Sequence, residues 1–556
     1  MNLFSLYIKY SQNRNVKYFI YLFFTSFFLI GVLIFRDYGI STDELFQRAS
    51  GFYWYLSIVN EFSSNIEYLN QLKDKFTQME SSAHLANGQS IYYGVFFDLL
   101  SAFIEETFKI KTSYDAFYLK HFLTFIFFFF SCIAFYKLIA SRFENRIFSI
   151  ILTSFFIMSP RIFAESFYNC KDIVFMSLSV ISIYFAMNYL EKQSVNNIII
   201  FSLFAALSTQ IRIMGIFLFF LFLFFWLLQA LEEKKFFKKN FIHFVCLIFF
   251  YSLFLYFFWP YLWEAPFTNF FKAFKIFSNY TWGSYVFYFG EYIKASNIPW
   301  HYIPVWIFIT TPLLYLIIFI LGLIKTLIIL SKRFLNISEE KNTMLWRDNN
   351  EKKDLFLLLY LLLPIIIIIF LNSTLYGGWR HLYFIYPGII YFIAVGIDFI
   401  LKSKIKKNYK SIFMFFIILG LTINLLNLIK LHPYQNVYFN TLVEKKANKL
   451  FPIDYWGLAN LEALKFINNS TKEKTLKTVR SASFTSLQFS KKLLKEDKIN
   501  VQITGTENLN QDFIFTNFYY ERDPKYTRKY FIPNNYERIF LIKRGNIIIN
   551  EIYKKN

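Results

Sequence analysis

The chain has 556 residues, 56% of them hydrophobic, and a mean hydropathy of +0.37, which excludes an ordinary soluble enzyme. A formal net charge of +22 would suit a nucleic-acid binder, but the cations are gathered in short clusters between apolar runs, and that placement excludes nucleic acid as the partner. The 76 phenylalanines rise together with Ile, Lys, Asn and Tyr, as under an A/T-rich coding bias, and carry no chemistry of their own.

Apolar runs of about 18–25 residues mark membrane spans. About eleven are predicted: 17–35, 115–137, 146–160, 172–190, 197–212, 213–231, 241–259, 302–330, 355–372, 382–401 and 411–430. Lys17 precedes the first, and no small-residue cleavage pattern follows it, so it reads as a retained anchor. Lys9, Arg14 and Lys17, then Lys137, Arg142 and Arg146, then Lys234, Lys235, Lys238 and Lys239, then Lys402, Lys404, Lys406, Lys407 and Lys410 all fall on the N-terminal side. The positive-inside rule makes that side cytoplasmic. Loops 36–114, 161–171, 260–301 and 373–381, and the tail from about 431, then face outward, while the charged stretch 331–354 is a solvated connector.

Directly after the first span comes Arg36-Asp37-Tyr38-Gly39-Ile40-Ser41-Thr42-Asp43-Glu44. Three acids at a membrane exit are costly unless they serve a purpose. A carboxylate in a partly closed cavity can take a proton from a hydroxyl or amine, so Asp43, Glu44 and Asp37 are candidates for general-base work. The long loop behind them repeats Phe46, Phe52, Tyr53, Trp54, Tyr55 and Ile58 at helical spacing, and Tyr92 to Phe108 is amphipathic with Asp98, Glu105 and Glu106. Both are predicted as helices on the outer membrane surface, roofing a cavity.

The hairpin between the third and fourth spans reads Ser159-Pro160-Arg161-Ile162-Phe163-Ala164-Glu165-Ser166-Phe167-Tyr168-Asn169-Cys170-Lys171-Asp172. Its two cations and two acids can pair with each other, or Arg161 and Lys171 can face a phosphate. Arg212 lies deep in apolar sequence and calls for an anion, either Asp172 or another acid, or a lipid headgroup. Trp259, Tyr261 and Trp306 read as interface aromatics, whereas Trp300 and His301 also suit a sugar face. Tyr376-Gly377-Gly378-Trp379-Arg380-His381 makes a tight outer turn whose two cations can bind a lipid or substrate phosphate.

The tail changes character. Strand-like segments at 478–483, 499–504, 513–517, 537–542 and 547–549, a turn at 544–546, and helical patterns at 456–468 and 485–495 predict a small α/β domain over 431–556, behind a transmembrane domain over 1–430. Cys132, Cys170 and Cys246 form neither a metal spacing nor a disulfide framework. There is no P-loop, dinucleotide fingerprint or zinc-protease helix, so nucleotide-driven chemistry has no support.

Taken together, Gly39 to Glu44, Ser159-Pro160-Arg161, Phe167 to Asp172, Pro299-Trp300-His301-Tyr302, Gly378-Trp379-Arg380-His381 and Asp454-Tyr455-Trp456-Gly457 resemble the GT-C superfamily of membrane glycosyltransferases. The likeness is to bacterial family 39 proteins related to protein O-mannosyltransferases and aminoarabinose transferases. It covers most of residues 30–460, with Cys170 where that pattern has proline. The resemblance implies an α-helical GT-C-type integral membrane protein of about eleven spans with an extracytoplasmic C-terminal α/β domain, sited in a bacterial inner membrane. It implies inverting transfer of a sugar from a polyprenyl-phosphate donor to a protein, lipid or glycan acceptor, with Asp43 as base and Asp37 in support. Arg161, Lys171, Arg212, Arg380 and His381 would hold the leaving phosphate, Glu44 would orient an Arg, a Lys or the sugar hydroxyls, and Asp37, Glu165, Asp172, Trp300 and His301 would contact sugar or acceptor. Some relatives carry a metal, for which Glu165 and His301 are the first suspects. The competing class is a transporter of lipid-linked sugars; it needs the same cavity, but repeated halves and further midplane polar residues are not seen in the sequence.

Overall fold

The computed structural model of the protein describes residues 15–232, 239–280, 282–335, 346–470, 476–482, 487–494, 500–504, 510–518 and 531–556. The cations Lys9, Arg14, Lys234, Lys235 and Lys238, the middle of the 331–354 connector, and the ends of the patterns at 478–483, 485–495 and 499–504 lie outside the described residues. Each predicted apolar run becomes helix. Among the described residues nine helices are long and apolar enough to cross a membrane, and a bent pair would make ten. This is a multi-pass helical membrane protein.

The departures from eleven regular spans have local causes. The run at 146–160 forms Arg146–Ile157, then turns by 70° into Pro160–Tyr168. Pro160 lacks an N–H, which suits the first position of a new helix and ends the old one. The run at 197–212 forms Val195–Ile211, only 17 residues long. The run at 302–330 splits into Tyr302–Thr310 and Leu313–Leu335 around Pro312.

Polar contacts at the two helix ends give the bundle its polarity. At one end Arg142 donates to both oxygens of Asp354 at 2.9 and 2.8 Å, Lys353 pairs with Glu191, and Lys352 donates to the Leu190 carbonyl and Gln229. Asp43, Asp172 and Arg380 meet at the other. Helix Ser113–Phe143 joins the two: Lys120 near its start pairs with Asp98, while Arg142 near its end pairs with Asp354. Those 22 positions span roughly 33 Å at 1.5 Å per residue, about the thickness of a bilayer core.

The loop after the first span folds as four helices, Glu44–Phe62, Ile66–Thr77, Ser82–Ala86 and Phe96–Thr107, two more than predicted. Ala49, Phe52, Leu72, Phe76, Leu85 and Ala102 form their shared core, and Glu105 ties Arg48 to Lys75 at 2.6 and 2.9 Å. A further surface helix, Pro266–Ser278, and a hairpin of β1 (Tyr285–Tyr288) and β2 (Glu291–Lys294) were not predicted. The hairpin turns on Phe289 and Gly290, both with positive φ, as a two-residue turn between strands requires.

Among the described residues the tail carries a five-stranded sheet of β3 (Lys477–Ala482), β4 (Val501–Thr504), β5 (Phe513–Thr516), β6 (Tyr536–Arg544) and β7 (Ile547–Lys555), in the order β4-β3-β5-β7-β6. β3 runs parallel to β4 and β5; β7 is antiparallel to β5 and β6. Helix Asn460–Ser470 matches the first predicted tail helix, whereas the second is reduced to Leu487–Ser490 and a short turn over Lys491–Leu493. Before the sheet begins, residues 432–459 thread across the site end of the bundle: Gln435 accepts from the Tyr38 hydroxyl, and Asn440 donates to the Phe308 carbonyl.

Candidate functional site

Asp43 is the N-cap of helix Glu44–Phe62, yet its carboxylate makes no capping bond. It turns instead to Arg380, whose Nη1 donates to Asp43 Oδ2 at 3.1 Å and to Asp172 Oδ2 at 3.2 Å. Gly377 and Gly378, with φ of +65° and +76°, make the left-handed turn that brings Arg380 round. The guanidinium is walled by the rings of Tyr376, Tyr455 and Trp456 at 5.0, 5.3 and 4.9 Å. Such faces hold a cation without neutralising it.

Asp172 opens the fourth span and is 1% exposed. Both Nε and Nη2 of Arg212 donate to its Oδ1, the first at 2.6 Å. Asn169 braces the arrangement: its Nδ2 donates to Asp172 Oδ2 at 3.0 Å and to Glu165 Oε2 at 2.7 Å, and its Oδ1 accepts from the Asp172 N–H at 2.9 Å. Tyr383 donates to Glu165 Oε1 at 2.7 Å. The buried Arg380, the partly buried Arg212, two buried acids and Asp43 thus form one network. Asp43 is its open member, with 34% of its side chain exposed against 1% for Asp172.

Lys171 differs from both arginines. Among the described residues it makes no ion pair; its Nζ lies over the Tyr93 ring at 3.9 Å, in a cavity lined also by Gln47, Asp98 and Cys170. Burial, helped by the neighbouring Arg212, pulls its pKa down to about 8 against the pull of Asp43, Asp172 and Asp98. If Lys171 binds a phosphate, donor affinity falls as pH rises through about 8, because the lysine then loses its charge. Donor KM measured from pH 7 to 9.5 should climb above pH 8 in the native protein and stay flat in Lys171→Arg, which remains charged. Equal climbs in both would remove Lys171 from phosphate binding.

The remaining predicted residues divide. His381 stays close, its ring 4.9 Å from Tyr376 and 8% exposed. Arg212 sits at the break between two helices beside Asp172, not deep within a span, and its partner is the acid. Among the described residues Glu44 makes no ion pair with an Arg or Lys: it is fully buried, accepts from the Ser41 N–H at 2.6 Å and faces His121 Nε2 at 3.0 Å. Asp37 is outside the network, paired with His432 at 2.9 Å. Arg161 stands apart from the other cations, its Nε donating to the Tyr438 carbonyl at 3.0 Å and its plane against Trp306 and Phe439. Trp300 is 69% exposed, and His301 is bonded to the Tyr288 hydroxyl at 2.7 Å in the hairpin; neither reaches Asp43.

The metal expectation does not fit these residues. Among the described residues no three His, Cys, Asp or Glu side chains converge to hold an ion, and the two suspects have other partners, Tyr383 and Asn169 for Glu165 and Tyr288 for His301. Asn169, Tyr383, Tyr455, Trp456, Lys120 and His121 escaped assignment. Lys120-His121 inside an apolar run was a readable signal, since ionisable residues in a span are seldom idle. Asp454 presents Tyr455 and Trp456 by accepting from the Gly457 and Ala459 N–H groups at 3.1 and 3.0 Å. Gly39 lets that turn close over it; a Cβ there would lie 2.4 Å from the Leu458 carbonyl oxygen.

No family model matches the chain, and neither do the curated proteins with which it was compared. Fold and site together define a multi-pass helical membrane protein with a half-open acid–arginine network at one end of its bundle.

Proposed function

We propose that this protein transfers a sugar from a polyprenyl-phosphate donor to an acceptor hydroxyl or amine, with inversion, at the outer face of a bacterial inner membrane. The observation that carries the reading is Asp43: an acid open to solvent, held by Arg380, in a network whose other acids are buried. The likeness of its sequence setting to the GT-C glycosyltransferases supports the same reading.

In the proposed step Asp43 takes the acceptor proton as the acceptor atom bonds to the anomeric carbon. The bond from that carbon to the phosphate oxygen breaks, and its electron pair leaves with the polyprenyl phosphate. Arg380 fixes the position of Asp43 through the bond from its Nη1 to Asp43 Oδ2. Arg212 and Arg380 are occupied by Asp172, so Lys171, which makes no ion pair among the described residues, receives the phosphate. No nucleotide takes part, and the lipid tail of the donor stays in the membrane.

The test is mass spectrometry of surface proteins, lipids and glycans from cells with and without the chain. A sugar missing from one class would name donor and acceptor together. Unchanged products with build-up of inward-facing lipid-linked sugar would replace the enzyme with a transporter.

A further inference from the structure

A second cavity shares no lining residue with the one at Lys171. Arg161, Glu165, Trp306, Asn436, Tyr455 and Trp456 line it. With Arg161 Nε committed to the Tyr438 carbonyl, its Nη2 is buried without a hydrogen-bond partner among the described residues. Asn436, 3% exposed, gives its Nδ2 to Asp454 at 3.2 Å, and among the described residues its Oδ1 is likewise buried without a hydrogen-bond partner. One cavity therefore holds an unused donor and an unused acceptor, both of a kind that native structures rarely leave unpaired.

We infer that this cavity receives the hydroxyl-bearing edge of a neutral, polyhydroxylated sugar ring, an assignment that rests on the sugar-transfer reading above. A hydroxyl both donates and accepts, so neighbouring hydroxyls of one ring can meet Nη2 and Oδ1 at once. The rings of Trp306, Tyr455 and Trp456 offer apolar faces to the C–H side of a sugar. Glu165 lines the same cavity as Arg161, so the wall carries an acid with the cation and suits an uncharged ring better than a phosphate. The position is also right for transfer. Tyr455 and Trp456 lie 5.3 and 4.9 Å from the Arg380 guanidinium, which holds Asp43 at 3.1 Å. Arg161 is thereby a sugar contact and not a phosphate ligand.

The probes are neryl phosphate and neryl phosphates carrying glucose, mannose or galactose, titrated into the full-length protein in detergent. The native protein should bind at least one sugar-bearing probe tenfold or more tightly than neryl phosphate, because a site built to bond hydroxyls discriminates strongly against their absence. Asn436→Leu and Arg161→Met should erase that margin and leave neryl phosphate affinity within twofold. Arg161→Lys keeps the charge but loses the Nη2 donor; it should lose most of the margin with an unchanged thermal midpoint, which separates recognition from folding. Equal weakening of both probe types, or no sugar margin in the native protein, would overturn the assignment. The phosphate reading is tested separately: Lys171→Met should weaken neryl phosphate itself, and if it does not, that reading fails while the sugar margin still stands.

Discussion

Replacing Asp43 by asparagine is expected to lower kcat by roughly 10²–10⁴-fold, the usual contribution of a positioned general base, while the protein stays folded in the membrane. The amide keeps the shape of the carboxylate and can still accept from Arg380 through its oxygen, so donor KM should change little. With 34% of its side chain exposed, Asp43 contributes to stability on the scale of a surface ion pair, below about 1 kcal/mol. The thermal midpoint in detergent should therefore hold within a degree or two while turnover collapses. Near-normal turnover would remove Asp43 as the base. A large drop in midpoint would show that its bond to Arg380 is structural. Glu44→Gln is the useful contrast, since Glu44 is sealed against His121 and Ser41 and its loss should act through the fold.

The sequence spoke clearly on what depends on near neighbours. Span positions followed from run length, and Asp43 from its place just past the first span, whereas the 70° break before Pro160 was not foreseen. Arg380 and Lys171 were also legible, as cations at span ends. The sorting of those cations was not. Whether an arginine is free for a substrate depends on a partner far away in the chain, as with Arg212 on Asp172 or Arg380 on Asp43 across 337 positions. Composition also named Trp300-His301 as a sugar contact and left Trp456 without a role, although both are aromatics near a polar residue. Only the path of residues 432–459 across the bundle separates them, and nothing local encodes that path. The same holds for Asn436, whose free oxygen is defined by what its amide does with Asp454.

That network makes Asp172 the residue whose removal should cost the most stability. Its carboxylate takes two donors from Arg212, one from Arg380 and one from Asn169, at 1% exposure. Asp172→Ala leaves two arginines, 3% exposed in the case of Arg380, with too little negative charge beside them. Breaking a buried pair from one side costs about 3–5 kcal/mol, because the surviving charge has lost both its partner and its water. The variant should show a thermal midpoint many degrees lower in detergent, and no transfer even where it remains folded, since Arg380 would no longer be held from two sides. Asp172→Asn should fall between, retaining hydrogen-bond acceptance but not charge. The decisive comparison is the double variant Asp172→Ala with Arg212→Met. If the penalty is an uncompensated buried cation, removing Arg212 as well restores part of the lost stability, with a coupling energy within about 0.5–3 kcal/mol. Additive losses would mean that Asp172 acts through Asn169 and the helix start alone, and Arg212 would then be the cation left for the donor phosphate.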